Sequence, residues 1–202
     1  MGLYDIAYML AVPGMTVTAP KDGAEMIGLL RSALAHEGGP FCLRYPRDAV
    51  PDVVPPLAEI ATVPYGTWEV LRRGREIAIL ATGTTVLPSV EAASLLADDG
   101  LDVTVVNCRF IKPYDELTLA AIVSGHPRIL VVEEGTVVNG FGPYIGTVIE
   151  AMEPGVRVAT HGVPDRFIEQ ATRKRQLELV GLDAKGIAKR VRALHGSEAL
   201  TE

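Results

Sequence analysis

Cysteine and histidine are scarce in this chain, and the sites they would build are excluded with them. Cys42 and Cys108 are the only thiols. Both lie in apolar, strand-like runs, so they read as buried free thiols of a reducing compartment, not as a disulfide framework or a metal site. His36, His126, His161 and His195 are scattered, and none has metal-ligand spacing with another histidine, a cysteine or a carboxylate. His161 follows a strand end and is the only one a site could use, against the plain reading of a loop histidine. Basic residues form no stripe. The formal net charge is -6, and the one cluster, Arg173-Lys174-Arg175, sits in a helix-like stretch and is followed by Glu178. Nucleic acid is therefore not expected as a partner. No apolar run reaches the ~20 residues that span a bilayer, so no membrane partner is expected either. The opening Met1-Gly2-Leu3-Tyr4-Asp5 has neither the basic nor the apolar region of a signal peptide, and Ile6 stands where a myristoylation signal needs Ser or Thr. Together these absences predict a cytoplasmic protein. Repeats, low-complexity stretches, a nucleophile elbow and a lysine-bearing phosphate loop are also missing.

What is present is a core-forming chain. Apolar residues make up 48% of the 202 positions, enough to bury a real core. Residues 1–48 read helix, strand, helix, strand. Ile6, Met9 and Leu10 share a helical face, and Met15 to Ala19 is a short strand. Asp22 with Glu25 three residues later marks a helix start, with Met26, Leu29, Leu30, Ala33 and Leu34 as its buried stripe. Phe41 to Tyr45 is the second strand. Two strands and two helices leave an edge and a helix face uncovered, so this unit is expected to pack on something outside it. Residues 49–64, with Pro51, Pro55, Pro56 and Pro64, read as an extended linker.

The second unit covers 65–195, followed by a tail at 196–202. Only Arg72 to Glu76 separates the strands Gly66–Leu71 and Ile77–Ala81. That gap is too short for the crossover that parallel neighbours require, so the first strand is expected to run antiparallel. Helices over Ser89–Ala97, Asp115–Ser124 and Pro143–Met152 then alternate with strands over Val103–Asn107, Ile129–Glu133 and Val156–Thr160. Two short helices close the chain, the last capped by Asp183. The pattern predicts an α/β fold: a three-layer α/β/α domain on a mostly parallel five-stranded sheet.

Chemistry-bearing residues are few. Leu43-Arg44-Tyr45-Pro46-Arg47-Asp48 closes the strand at Phe41–Tyr45 with two arginines. A guanidinium is a rigid fork of donors that matches phosphate oxygens, and strand ends are where α/β folds bind ligands. A solvated arginine pair closing a strand is the competing reading. Gly135 to Gly146 follows a strand and opens a helix whose amides could hold an anion, but its glycines lack dinucleotide spacing and no acidic residue closes a following strand. Thr82-Gly83-Thr84-Thr85 is a turn of the same kind. Glu133 and Glu134, adjacent on a strand, point to opposite faces. One is expected at solvent or a subunit contact, the other against an arginine such as Arg109.

A set of motifs in fixed order resembles a known family. They are Gly2-Leu3-Tyr4-Asp5-Ile6-Ala7-Tyr8, Ala19-Pro20-Lys21-Asp22, Leu43-Arg44-Tyr45-Pro46-Arg47, Arg109-Phe110-Ile111-Lys112-Pro113-Tyr114-Asp115, Val132-Glu133-Glu134-Gly135, Gly162-Val163-Pro164-Asp165 and Gly181-Leu182-Asp183. From about residue 2 to 194 the chain is similar to the C-terminal third of the 1-deoxy-D-xylulose-5-phosphate synthases, within the transketolase-like thiamine enzymes. The resemblance implies that 1–48 is the end of a pyrimidine-binding domain and 65–195 a transketolase C-terminal domain. It implies condensation of pyruvate with glyceraldehyde 3-phosphate, with loss of CO2, feeding isoprenoid, thiamine and pyridoxal synthesis. Thiamine diphosphate and Mg2+ would be the cofactors, held by the N-terminal part of such an enzyme, and a homodimer the assembly. It assigns the acceptor's phosphate to Arg47, with Arg44 and Tyr45 as supporting candidates, and no catalytic, cofactor-binding or metal-binding residue to this stretch. The chain alone is accordingly expected to be inactive and to bind no cofactor tightly. Three departures stand out: Asp48 where the family usually has Gly, Met9-Leu10 where Leu-Arg is frequent, and Asn139 where glycine is common. Asp48 beside Arg47 is expected to weaken its pull on a phosphate. Two other readings remain open. One is a β-type subunit of a thiamine-dependent 2-oxoacid dehydrogenase, which the Arg-Tyr-Pro-Arg and Gly-Leu-Asp elements disfavour. The other is a non-catalytic assembly or dimerisation module.

Overall fold

A computed structural model describes residues 2–48 and 55–196; the first six residues of the expected linker and nearly all of the tail lie outside them. The N-terminal unit contains α1 (Asp5–Leu10), β1 (Thr16–Thr18), α2 (Gly23–Leu34) and β2 (Phe41–Leu43). Asp22 caps α2 by accepting from the Glu25 amide at 2.8 Å, and the Glu25 carboxylate reaches back to the Lys21 amide at 2.7 Å. Two otherwise orphaned donors are thereby satisfied.

The inward face of α2 differs from the expected stripe. Glu25, Gly28, Leu29 and Ser32 are buried, whereas Leu30 and Leu34 are 47% and 81% exposed. The cause is the segment that follows β2. Residues 57–63 lie along the helix: the Val63 amide donates to Gly28 O at 3.3 Å, the Ser32 hydroxyl donates to Val63 O at 2.5 Å, and Arg31 donates to Leu57 O at 2.7 Å. A Cβ on Gly28 would stand 2.8 Å from Ala61 O. Backbone this close admits only small or polar side chains, so the leucines turn outward. The segment is a strap rather than a free spacer, and it buries Ile60 and Val63.

The second unit adds β3 (Glu69–Arg72), β4 (Ile77–Ala81), α3 (Val86–Asp98), β5 (Val103–Asn107), β6 (Phe110–Lys112), α4 (Glu116–Gly125), β7 (Arg128–Thr136), α5 (Phe141–Met152), β8 (Arg157–Val163), α6 (Arg173–Val180) and α7 (Ala184–Gly196). Five strands form one sheet in the order β3-β5-β4-β7-β8. β3 is antiparallel to β5, and the remaining pairs are parallel, as the short gap before β4 requires. Side chains alternate across the sheet. Ile77, Ile79 and Ala81 join α3 and α7 on one face, while Ala78 and Leu80 join α4, α5 and the N-terminal unit on the other. α7 is longer than expected at 13 residues, and Asp183 accepts from the Gly186 amide at its start.

β6 is the element that periodicity does not reveal. It pairs antiparallel with β1, while β1 pairs in parallel with β2, giving a second sheet of order β2-β1-β6. The two sequence units thus share a sheet. Polar contacts reinforce the joint. Thr16 and Tyr65 hydroxyls meet at 2.9 Å, and His36 stacks on Tyr65 with ring centroids 4.8 Å apart. Glu25, almost fully buried, accepts from Asn107 at 2.7 Å, Lys21 at 3.2 Å and Arg109 at 3.4 Å. Lys21 also reaches Glu69 at 2.9 Å. Burial alone would lower the Lys21 ammonium, but the Glu69 hydrogen bond and the charges of Glu25, Glu69 and Asp22 outweigh it and hold it above its ordinary value. Arg109 therefore belongs to this joint and not, as expected, to Glu133 or Glu134.

Candidate functional site: a cleft at the C-terminal end of β2

The parallel pair β1–β2 delivers both arginines to the carboxyl ends of its strands, where open α/β sheets take ligands. The Arg44 amide donates to Thr18 O at 2.9 Å, extending the ladder by one bond. The Arg44 side chain then closes inward. Its Nε donates to Asp5 Oδ2 at 2.7 Å, and its Nη2 donates to Gly2 O at 3.0 Å and Glu134 O at 2.5 Å. Arg44 is a tie between α1, β2 and β7, with two of its three guanidinium nitrogens bonded within the fold.

Arg47 is the opposite case. The Tyr45-Pro46 step carries the chain outward, and Arg47 is exposed. Its guanidinium forms no hydrogen bond or ion pair among the described residues. It lines a cleft of about 550 Å³ together with Asp5, Arg44, Tyr45, Glu134, Arg173 and Gln176. Tyr45, 62% exposed, stands in the same wall. One guanidinium with all its donors free, beside a cleft large enough for a small metabolite, has the donor chemistry to take an oxyanion.

The glutamate pair divides as its place on a strand dictates. Glu133 is fully buried and accepts from the Phe141 and Gly142 amides, both at 2.8 Å. These are the amides expected to hold an anion. They hold one, but it is the chain's own carboxylate, eight residues upstream. Burial pushes the Glu133 carboxyl up from its ordinary value, against the two amides and Arg44, which pull it down. Glu134 lies on the other face and receives Arg173: Nε donates to Oε1 at 3.2 Å, and Nη2 bonds Oε2. The Thr84 hydroxyl also donates to Oε2 and accepts from Arg173 Nη2 at 3.0 Å. Glu133 is closed off from solvent, and Glu134 keeps a small exposure at the cleft.

Arg173 was visible in the sequence only as part of a basic cluster. Its third nitrogen, Nη1, donates to Asp48 Oδ2 at 2.8 Å. Asp48 is thus directed to α6 and not to its neighbour Arg47. The signal that could have found this partner is Asp48 itself, a carboxylate in a family position usually held by glycine.

The remaining candidates are structural. His161 Nε2 donates to Gly181 O at 2.6 Å and fixes the left-handed turn between α6 and α7. His126 bridges Thr104 and Ile122 O, each at 2.9 Å. Cys42 and Cys108 are unbridged. Burial raises both thiols, helped by Asp5 at Cys42 and by Asp115 at Cys108, so neither is an activated nucleophile. Among the described residues, no group of three His, Cys, Asp or Glu side chains could hold a metal ion, and no helix is long and apolar enough to cross a membrane.

Known proteins place this geometry in a family. A model of the pyrimidine-binding domain of transketolase matches residues 1–53. Among curated proteins, the chain is 41% identical over 194 residues to a 1-deoxy-D-xylulose-5-phosphate synthase of Synechococcus sp. (strain JA-3-3Ab), covering 95% of this chain and 30% of that protein. It is 42% identical over 202 residues to the synthase of Aquifex aeolicus (strain VF5), covering 98% of this chain and 31% of that protein. The chain therefore spans about 30% of the length of these relatives. Among solved structures, one titled a split gene transketolase, inactive beta4 tetramer, superposes with a TM-score of 0.85 at 29% identity, covering 96% of this chain and 62% of the other. A transketolase mutant from Pichia stipitis superposes with a TM-score of 0.73 at 19% identity, covering 98% of this chain and 28% of the other, and shares the fold. A model of the transketolase C-terminal domain matches residues 66–187, and the chain belongs to that family.

Proposed function

We propose that this chain supplies the C-terminal portion of a 1-deoxy-D-xylulose-5-phosphate synthase and that Arg47 binds the phosphate of its acceptor, glyceraldehyde 3-phosphate. The observation that carries the reading is the free Arg47 guanidinium lining the cleft while Arg44, three residues earlier, is held through Nε and Nη2 by Asp5, Gly2 O and Glu134 O. Identity of 41% to the Synechococcus synthase over nearly the whole chain supports the substrate. Thiamine diphosphate with Mg2+ would supply the nucleophilic carbon that attacks pyruvate. In the family such a cofactor is held by the N-terminal portion, outside this chain. The residues of this chain do the positioning: Arg47 grips the acceptor's phosphate, and Tyr45 walls the cleft beside it.

Completion by an N-terminal portion is part of the proposal. β2 is an edge strand, and Leu30, Leu34 and Tyr8 are exposed apolar side chains on the unit that matches only part of a pyrimidine-binding domain. The structure titled an inactive beta4 tetramer, whose longer chain this one covers to 62%, supports the view that an incomplete enzyme of this family assembles with copies of itself yet does not turn over. A homodimeric, cytoplasmic enzyme is the expected working form.

The test is Arg47→Ala in the complete enzyme that contains this chain. A charge-assisted hydrogen-bond pair of about 1.5–3 kcal/mol corresponds to a rise of roughly 10- to 100-fold in the acceptor's KM. Pyruvate's KM should move less than about twofold, since pyruvate carries no phosphate. Equal rises for both substrates would remove Arg47 from this role.

A further inference from the structure

Asp48 and Arg173 together carry an inference that deepens the Arg47 reading and rests on it. Three charged groups crowd the rim next to Arg47: the Asp48 carboxylate directly after it in the chain, the Glu134 carboxylate and the Arg173 guanidinium. A carboxylate adjacent to a phosphate-binding arginine harms it in two ways: it competes for the fork, and it repels the incoming anion. The structure removes both. Arg173, on the first turn of α6, spends all three nitrogens at this rim: Nε and Nη2 on Glu134, Nη2 also on Thr84, and Nη1 on Asp48 at 2.8 Å. Its side chain is only 25% exposed, and Thr84 and Glu134 hold it from the sheet side. Asp48 is drawn away from Arg47 toward α6.

Arg173 also stands in the wall between two clefts. Tyr45, Pro46 and Arg173 line both the cleft that contains Arg47 and a neighbouring one of about 380 Å³ reached by Asp48 and Thr84. The Arg173–Asp48 bridge crosses that wall and ties the loop after β2 to α6.

We propose that Arg173 is a positioning residue for the acceptor's phosphate: by pairing Asp48 and Glu134 it keeps the Arg47 guanidinium free and the rim electrically tolerant of an anion. A lysine could not do the same, because one ammonium lacks the planar fork that grips Glu134 with two nitrogens and Asp48 with a third. Asp48 and Arg173 then act as a compensated pair, and the aspartate that stands where the family usually has glycine is harmless only while the arginine is present.

The experiment is steady-state kinetics of the complete enzyme with Arg173→Gln, Asp48→Gly and the double variant, alongside Arg47→Ala. Arg173→Gln should raise the acceptor's KM by about tenfold, with pyruvate's KM within about twofold of the parent. Adding Asp48→Gly should restore the acceptor's KM to within about threefold of the parent, because the carboxylate next to Arg47 is gone while the Thr84 hydroxyl still bonds Glu134. A purely structural arginine would lower kcat or stability for both substrates and would not be rescued by removing a neighbour's charge. If Arg173→Gln does not fold, Arg173→Lys replaces it, with a smaller rise that Asp48→Gly again reverses. An unchanged acceptor KM in Arg173→Gln, or a raised one that Asp48→Gly fails to restore, overturns the proposal. In either case a selective rise in Arg47→Ala leaves the Arg47 reading standing, and its absence refutes that reading separately.

Discussion

Arg44 and Arg47 are the same residue type three positions apart, and their fates are opposite. Arg44 keeps the strand direction and meets Asp5 and two carbonyls, so it stabilises the junction. Arg47 follows Pro46, which cannot donate to a ladder, and its fork stays in solvent at the cleft. His161 shows a residue whose charge state is set by burial. Burial, with Arg190 as a smaller contributor, holds its pKa below the ordinary 6.5, against the Gly181 hydrogen bond and Asp183. A group whose folded pKa is depressed contributes stability above its unfolded pKa and loses it as pH falls through the folded value. The parent should therefore lose stability between about pH 7.5 and pH 5, and His161→Gln, which keeps a donor for Gly181 O, should lose less over the same range. Urea-unfolding midpoints at the two pH values check this, and identical losses would contradict it.

At the scale of elements, Glu133 replaces an external ligand. Its carboxylate occupies the amides that open α5, holding that helix against β7. Glu133→Ala would leave two buried amides unpartnered and should cost about 3 kcal/mol, seen as a lower denaturant midpoint with an unchanged slope. An effect below about 0.5 kcal/mol would mean that water satisfies the amides. The same contact explains a limit of sequence reading. Strong apolar runs such as Ile77–Ala81 and Val103–Asn107 declare themselves, and the short gap before β4 declares the antiparallel β3. β6 does not, because three residues carry no period and their partner strand lies more than 90 residues away in sequence. The inward face of α2 departs from its apolar period for a related reason: it is set by a strap of backbone that packs on Gly28 and Ser32, and apolar periodicity cannot see backbone. The cleft was legible in the Arg-Tyr-Pro-Arg motif, whereas Arg173 was not, since its role arises from residues 48, 84 and 134 meeting in space.

The whole molecule is two half-structures held by one joint. The five-stranded sheet is covered on both faces, with one apolar cluster on each. The small sheet is covered by β6 on one side and ends at β2 on the other. Charged side chains from both units converge on the buried Glu25, so the joint is specific as well as apolar. This arrangement orients the β2 end, and with it Arg47, relative to β7 and α6. The cleft is thus a product of the joint, and a ligand there reads the assembled chain.

The most direct measurement is a titration of the chain with inorganic phosphate, following the nitrogen–proton signals of its arginine side chains by nuclear magnetic resonance. The Arg47 signal should shift in a saturable way at millimolar phosphate, while the signals of Arg44 and Arg173, already bound within the fold, stay in place. A phosphate-dependent shift at Arg44 or Arg173 with Arg47 silent would contradict the account.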